Sequence, residues 1–188
     1  MNTETSLFFV ALLPPLDIQD DATQIKQYFA TQYHSRAALK SPPHITLQPP
    51  FRWLNANTPA SALEECLQEF ARDRASIPIT LNGFAAFPPR VIYIDVVRSA
   101  ELLTLQADLM AQLAAKLGIV DRISKTRPFA PHMTVGFKDL TRQNFRLAWQ
   151  EFQPRQLYFE FTASCLTLLR HDGKKWQIQT EFGFGGNG

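Results

Sequence analysis

Two short segments of the chain carry the same pattern of reactive side chains. Pro43-His44-Ile45-Thr46-Leu47 and Pro131-His132-Met133-Thr134-Val135 both read Pro-His-x-Thr-aliphatic, and their histidines stand 88 residues apart. With 14 Thr and four His in 188 residues, two His each followed by Thr at the second place is a chance event of about 3%. The shared proline and aliphatic neighbour lower that further. Alone, each His reads as a half-buried, satisfied polar residue and each Thr as a β-branched strand residue. The repetition singles them out.

The spacing matters because side chains alternate across a strand. His and Thr at i and i+2 share one face, about 6 to 7 Å apart along it. Two such strands related by a twofold would aim two imidazoles and two hydroxyls into one cleft. That set suits a phosphodiester. One neutral imidazole takes a proton from the attacking hydroxyl or water, and one protonated imidazole gives a proton to the leaving oxygen. The threonine hydroxyls can hydrogen-bond a phosphate oxygen whose charge is growing. Arg52, Lys125, Arg127 and Lys138 flank the motifs as candidate phosphate contacts, with solvated surface charge as the alternative. Phe51, Trp53, Phe129 and Phe137 are candidates to stack a base, and core packing is expected for at least two of the four. His34 and His171 lack the pattern and are assigned to the surface, one at a helix end and one in a turn. No HxH, HExxH, CxxC or GxxxxGK[ST] pattern occurs, and no GxGxxG joins a strand to a helix, so metal, nucleotide-triphosphate and dinucleotide sites lack support.

Elements on either side must position these strands. Leu7–Leu12 reads as a buried strand stopped by Pro14-Pro15. Asp21 caps a helix whose stripe is Ile25, Tyr28, Phe29 and Tyr33. The prolines around His44–Gln48 limit that motif to a short strand. Either Thr58-Pro59 or the Ser61/Glu64 box starts a helix with Leu63, Cys66, Leu67 and Phe70 on one face. Strands Ile77–Phe84 and Val91–Val97 form a hairpin around Phe87–Arg90. The order then repeats. Leu102, Leu105, Leu109, Leu113 and Leu117 give a helix stopped by Gly118. The second motif strand is Phe129–Val135, and Thr141 caps a helix with Phe145, Ala148, Trp149 and Phe152. Strands Gln156–Phe161, Ser164–Arg170 and Trp176–Thr180 follow, the last two joined at Asp172-Gly173. The pattern predicts an α+β, bilobal pseudo-twofold repeat: two antiparallel sheets backed by helices, with the cleft between lobes. One domain spans 1–188, with halves at about 1–98 and 99–182 and a flexible glycine-rich tail at 183–188.

Composition agrees with a packed domain. Hydrophobic residues make up 45% and charged residues 19%, which argues against disorder. The net charge of +2 is compatible with an anionic ligand and far from a dedicated nucleic-acid binder. Cys66 and Cys165 read as reduced thiols. The apolar run Leu7–Leu13 is too short for a signal peptide, and no stretch approaches the roughly 18 apolar residues of a membrane span. A cytoplasmic monomer without metal or cofactor is expected.

The paired motifs, with Asn82–Tyr93 between them and Arg127-Pro128-Phe129-Ala130 leading into the second, resemble the two-histidine (2H) phosphoesterase superfamily. It includes the bacterial RNA 2′,3′-cyclic phosphodiesterases, also called 2′-5′ RNA ligases. The likeness runs from Leu7 to about Phe182. It implies a bilobal fold, no metal requirement, and cleavage of a 2′,3′-cyclic phosphate or a 2′-5′ phosphodiester on RNA ends or small nucleotides, with reverse RNA ligation open to the same residues. It maps the catalytic roles onto His44, Thr46, His132 and Thr134, and favours Arg127 among the cations. A catalytically silent RNA-end or nucleotide-binding module of the same fold is the alternative. A weaker one is an interaction protein whose His-Thr pairs staple the lobes.

Overall fold

The computed structural model describes residues 5–54, 60–121 and 128–186. Chain order is β1 (Thr5–Leu12), α1 (Leu16–Gln32), a 3₁₀ turn (Ala37–Lys40), β2 (Ile45–Leu54), α2 (Ala60–Arg72), β3 (Ile77–Phe87), β4 (Val91–Val96) and α3 (Ala100–Leu117). Then come β5 (His132–Gly136), α4 (Arg142–Phe152), β6 (Tyr158–Ala163), β7 (Cys165–His171) and β8 (Trp176–Gly183). Two four-stranded antiparallel sheets result, ordered β2-β1-β7-β8 and β5-β4-β3-β6. The α+β bilobal architecture expected from the repeat is the one found. Each motif strand, β2 or β5, is an edge strand beside the strand that precedes its helix.

The sheets do not divide the chain at residue 98. Each draws two strands from either half: β1 and β2 join β7 and β8, while β3 and β4 join β5 and β6. Helices cross over in the same way. Phe29 of α1 lies against Gly136 of β5, and a Cβ there would sit 2.5 Å from the Phe29 ring. Gln106 of α3 donates through Nε2 to the Leu47 carbonyl of β2 at 3.2 Å. Each motif strand is thus braced by a helix from the opposite half. One continuous apolar core joins the sheets. At its centre the Phe29 and Phe152 rings stand 4.7 Å apart and Phe84 meets Phe152 edge-on at 5.0 Å. Such aromatic pairs add about 0.5–1.5 kcal/mol beyond the area they bury.

Several local outcomes differ from the sequence reading. The first helix starts at Leu16, with Pro15 at its N-cap (φ −55°, ψ 158°) and Asp17 in its first turn, so Asp21 is an internal residue. Proline before the first turn presets an extended entry, and Asp17 complements the dipole without a capping side chain. The first motif strand is not short: β2 runs ten residues, straight through Pro49-Pro50. An edge strand tolerates proline, and the pairing with β1 is irregular between Phe8 and Ala11, where β2 passes from Phe51 to Thr46. The Thr58-Pro59 start lies outside the described residues. Ser99 and Thr141 cap α3 and α4 by accepting from Leu102 N and Asn144 N, and Gly118 ends α3 at φ 65°. The glycine-rich end is docked as far as Gly186: Gly185 N donates to Ala71 O and Gly186 N to Arg74 O. A Cβ on Gly185 would sit 2.7 Å from Arg72 O, so only glycine permits that approach. His171 closes β7 rather than a turn, its ring 5.0 Å from Trp176.

Candidate active site

β2 and β5 present their motifs through the same local device. His44 Nδ1 lies 2.7 Å from the Pro42 carbonyl, and His132 Nδ1 lies 2.7 Å from the Ala130 carbonyl. A carbonyl only accepts, so Nδ1 carries the proton in both rings. Nε2 is left as the atom that can take up or release a proton in each ring. The carbonyl also fixes the orientation of each ring.

The pleat then delivers both pairs to one cavity. A chamber of about 360 Å³ is lined by His44, Thr46, His132 and Thr134, closed by Phe9, Phe87, Phe137 and Trp176. Thr46 pairs across to Ala11 and Thr134 to Tyr93, which sets the hydroxyls on the same face as the imidazoles. A second chamber of about 440 Å³ shares Thr46, Phe87 and His132 with the first and extends to Pro49, Gln106, Met110 and Phe129. Its walls are largely apolar, with Gln106 and Asp121 as polar groups.

Ring packing differs between the two sites. His44 lies 4.7 Å from Phe9, whose other side meets Trp176 edge-on at 4.6 Å. His132 packs against Phe87 at 5.2 Å and Tyr93 at 5.1 Å, two rings that meet each other at 4.5 Å. Burial pushes the His44 pKa down to about 4; the Pro42 carbonyl opposes this, while the nearby Lys26 and His132 charges add to it. Burial also lowers His132, but there the Ala130 carbonyl and the Asp95 carboxylate both pull upward. Asp95 is its register partner on β4. The charged neighbours thus act in opposite senses, Lys26 disfavouring the imidazolium at His44 and Asp95 favouring it at His132.

Two further groups hold the approach to His44. Lys26 of α1 is only 2% exposed, and its Nζ donates to the Ser41 carbonyl at 3.0 Å. Burial lowers its pKa from 10.5 to about 7. Asp139, just past the second motif, accepts from Ser35 Oγ at 2.9 Å and from the backbone N–H groups of Arg36 and Ala37 at 2.8 and 3.0 Å. The exit of one motif thereby clamps the entry of the other.

The remaining sequence candidates separate clearly. Phe129 and Phe137 line the cleft. Phe51 packs against the core and meets the Phe8 ring at 6.3 Å, and Trp53 is buried in the core. Both share the odd-numbered face of β2 with Ile45 and Leu47. Arg52 and Lys138 are exposed and line neither chamber. Lys125 and Arg127 lie outside the described residues. Phe9, Phe87, Gln106, Met110, Lys26 and Trp176 were not among the candidates. Phe9 alone had a local signal, since an apolar residue next to Phe8 within a strand means that both faces are covered.

The chain has relatives in both sequence and fold. The family model for the 2′-5′ RNA ligase superfamily matches residues 14–175. A Geobacillus kaustophilus protein named "Putative phosphoesterase GK0864" is 30% identical over 181 residues, covering 94% of this chain and 95% of its own. An Aquifex aeolicus protein named RNA 2′,3′-cyclic phosphodiesterase is 32% identical over 133 residues, 68% of each chain. Among solved structures, TT0787 of Thermus thermophilus superposes with a TM-score of 0.66 at 19% identity, over 97% of this chain and 100% of its own. E. coli LigT complexed with NADP+ superposes at 0.60 and 17% identity with the same coverage. Matched through both motif strands and the helices that brace them, the chain belongs to the 2′-5′ RNA ligase superfamily of 2H phosphoesterases.

Proposed function

We propose that the protein is a metal-independent phosphodiesterase that opens 2′,3′-cyclic phosphates on RNA ends or small nucleotides. One observation carries this reading. Both imidazoles line one chamber with Nδ1 tied to a backbone carbonyl, so each has only Nε2 to offer for proton transfer.

The steps follow from the residues. A water oxygen attacks phosphorus and gives up a proton to the neutral imidazole. The bond from phosphorus to one ring ester oxygen breaks, and the protonated imidazole supplies that oxygen's proton. The products are a terminal phosphomonoester and a free hydroxyl, with one proton moved from one histidine to the other. Thr46 and Thr134 donate to the non-bridging oxygens as their charge grows. With the 5′-hydroxyl of a second RNA in place of water, the same transfers join the ends through a 2′-5′ bond. The nucleoside that bears the phosphate fits the adjoining chamber, between Phe129, Met110 and Pro49. The name of the Aquifex relative supports the substrate class. So do the LigT complexes with 3′-AMP, ATP and phosphate, all phosphate-bearing ligands.

The test is incubation of the pure protein, with a chelator present, with a short RNA ending in a 2′,3′-cyclic phosphate and with a free cyclic nucleotide. Ring opening with a bell-shaped pH dependence supports the reading. Binding of either ligand without turnover would make the protein a nucleotide-binding member of the fold instead.

A further inference from the structure

The cleft does not end at His44. A third concavity, of about 270 Å³, lies on its flank, lined by Thr23, Lys40, Ser41, Lys175, Trp176 and Gln177 among others. Ser41 and Trp176 also line the catalytic chamber, so the two spaces share a wall. Trp176 is one ring removed from His44: it meets Phe9 at 4.6 Å, and Phe9 meets His44 at 4.7 Å. Lys40 and Lys175 are exposed, and no carboxylate is among the described lining residues. Beneath the shared wall Lys26 adds a third amine, bonded to the Ser41 carbonyl. On the far side of the cleft the signs reverse, with Asp95 beside His132 and Asp121 on the wall of the adjoining chamber. Among the described lining residues, the amines therefore stand on the His44 side of the cleft and the carboxylates on the His132 side.

Resting on the cyclic-phosphate reading above, we infer that this groove is a subsite for the phosphodiester that precedes the reacting phosphate in an RNA strand. Lys40 and Lys175 pair with its oxygens, and Trp176 offers a ring to the penultimate base. Ammonium groups meet a phosphate as point charges and add a salt-sensitive increment to affinity. A half-exposed indole beside a cationic groove is the usual platform for an unpaired base. The space is too small for a duplex, so the strand enters single. It fixes polarity as well: the 5′-ward chain leaves past Ser41 and Trp176, and the terminal nucleoside points the other way. A cyclic mononucleotide has no second phosphate and leaves the groove unused. RNA ends, rather than free nucleotides, are then the preferred substrate.

The test compares kcat/KM for a nucleoside 2′,3′-cyclic phosphate and for a dinucleotide with the same cyclic end, across a salt series. Parent protein and the Lys40→Gln/Lys175→Gln double variant are run together. The expected result is a preference of about 10-fold or more for the dinucleotide in the parent, a single phosphate contact's worth. The double variant should lose at least fivefold more on the dinucleotide than on the mononucleotide. Its dinucleotide salt slope should shrink by about 0.7 per lost phosphate contact. Equal kcat/KM for both substrates in the parent, or equal losses on both in the double variant, overturns the subsite. If neither substrate is opened, the catalytic reading falls and the groove is judged by binding. A dinucleotide 3′-phosphate must then bind the parent more tightly than the double variant, and equal affinities overturn the subsite.

Discussion

The two motif sites share a backbone and differ in charge. In both, a histidine hangs from a carbonyl two residues back, a threonine follows on the same face, and a helix of the other half braces the strand. Around His44 stand Phe9 and an amine; around His132 stand Phe87, Tyr93 and a carboxylate. The fourth residue after each histidine differs too: Gln48, buried, against Gly136, pressed under Phe29. A pseudo-twofold scaffold alone would give two interchangeable imidazoles. The acid–base step proposed above needs them in opposite protonation states, and the amine near His44 and the carboxylate near His132 favour opposite ones.

The largest effect should come from removing either ring. His44→Ala and His132→Ala should each lower kcat/KM by about 10²- to 10⁴-fold, and the double variant should be little worse than either single one. Additive losses would mean that the two sites work separately.

Next is Lys26, which exists on the His44 side only. Its ammonium is disfavoured by burial, with the folded pKa near 7 against 10.5 when free. Between those values the unfolded chain holds a proton that the native chain has released. Parent stability should therefore rise with pH from about 7 to about 10.5 and level off above. Lys26→Met should lack that rise and should be more stable than the parent at pH 6, by a gap on the order of a few kcal/mol. Urea unfolding at pH 6 and pH 10 measures both, and identical pH dependence in the two proteins would refute the assignment.

Gly136→Ala should cost about 1–3 kcal/mol, because its methyl meets the Phe29 ring. Gln48→Met, at the matching place, should stay within about 1 kcal/mol of the parent, since the buried Gln48 Oε1 has no partner among the described residues. Thermal melts of the two variants decide whether the motifs differ in packing as drawn here.

The finest probe is Asp95→Asn. Removing that carboxylate withdraws the upward pull on His132. One limb of the pH–rate profile should move toward acid while the other holds its place. A profile that shifts as a whole would make Asp95 a general field and not His132's own partner.

Much of this was legible in the residues, for physical reasons. Period-3.6 stripes and signals such as the Thr141 cap and the Gly118 stop are local, so helices declared themselves. The motif pairs declared themselves by repetition. Core packing, expected for at least two of Phe51, Trp53, Phe129 and Phe137, falls to Phe51 and Trp53. What stayed hidden came from pairing. No local pattern tells that Trp176, at the start of β8, comes to rest one ring removed from His44, or that Gln106 reaches Leu47. Nor does a run of prolines reveal that its strand lies at an edge, where two missing donors cost nothing.

The exchange of strands between halves has a consequence for the integrity of the enzyme. A break between β4 and α3 would leave no piece with a finished sheet, because each piece holds half of both. Neither fragment could keep one histidine poised by itself, since each motif strand leans on a helix from the other fragment. The two pieces should recover function only by reassociating, like interlocked hooks. Activity of such a split chain would therefore report on association, and partial folding would yield nothing that works at half strength.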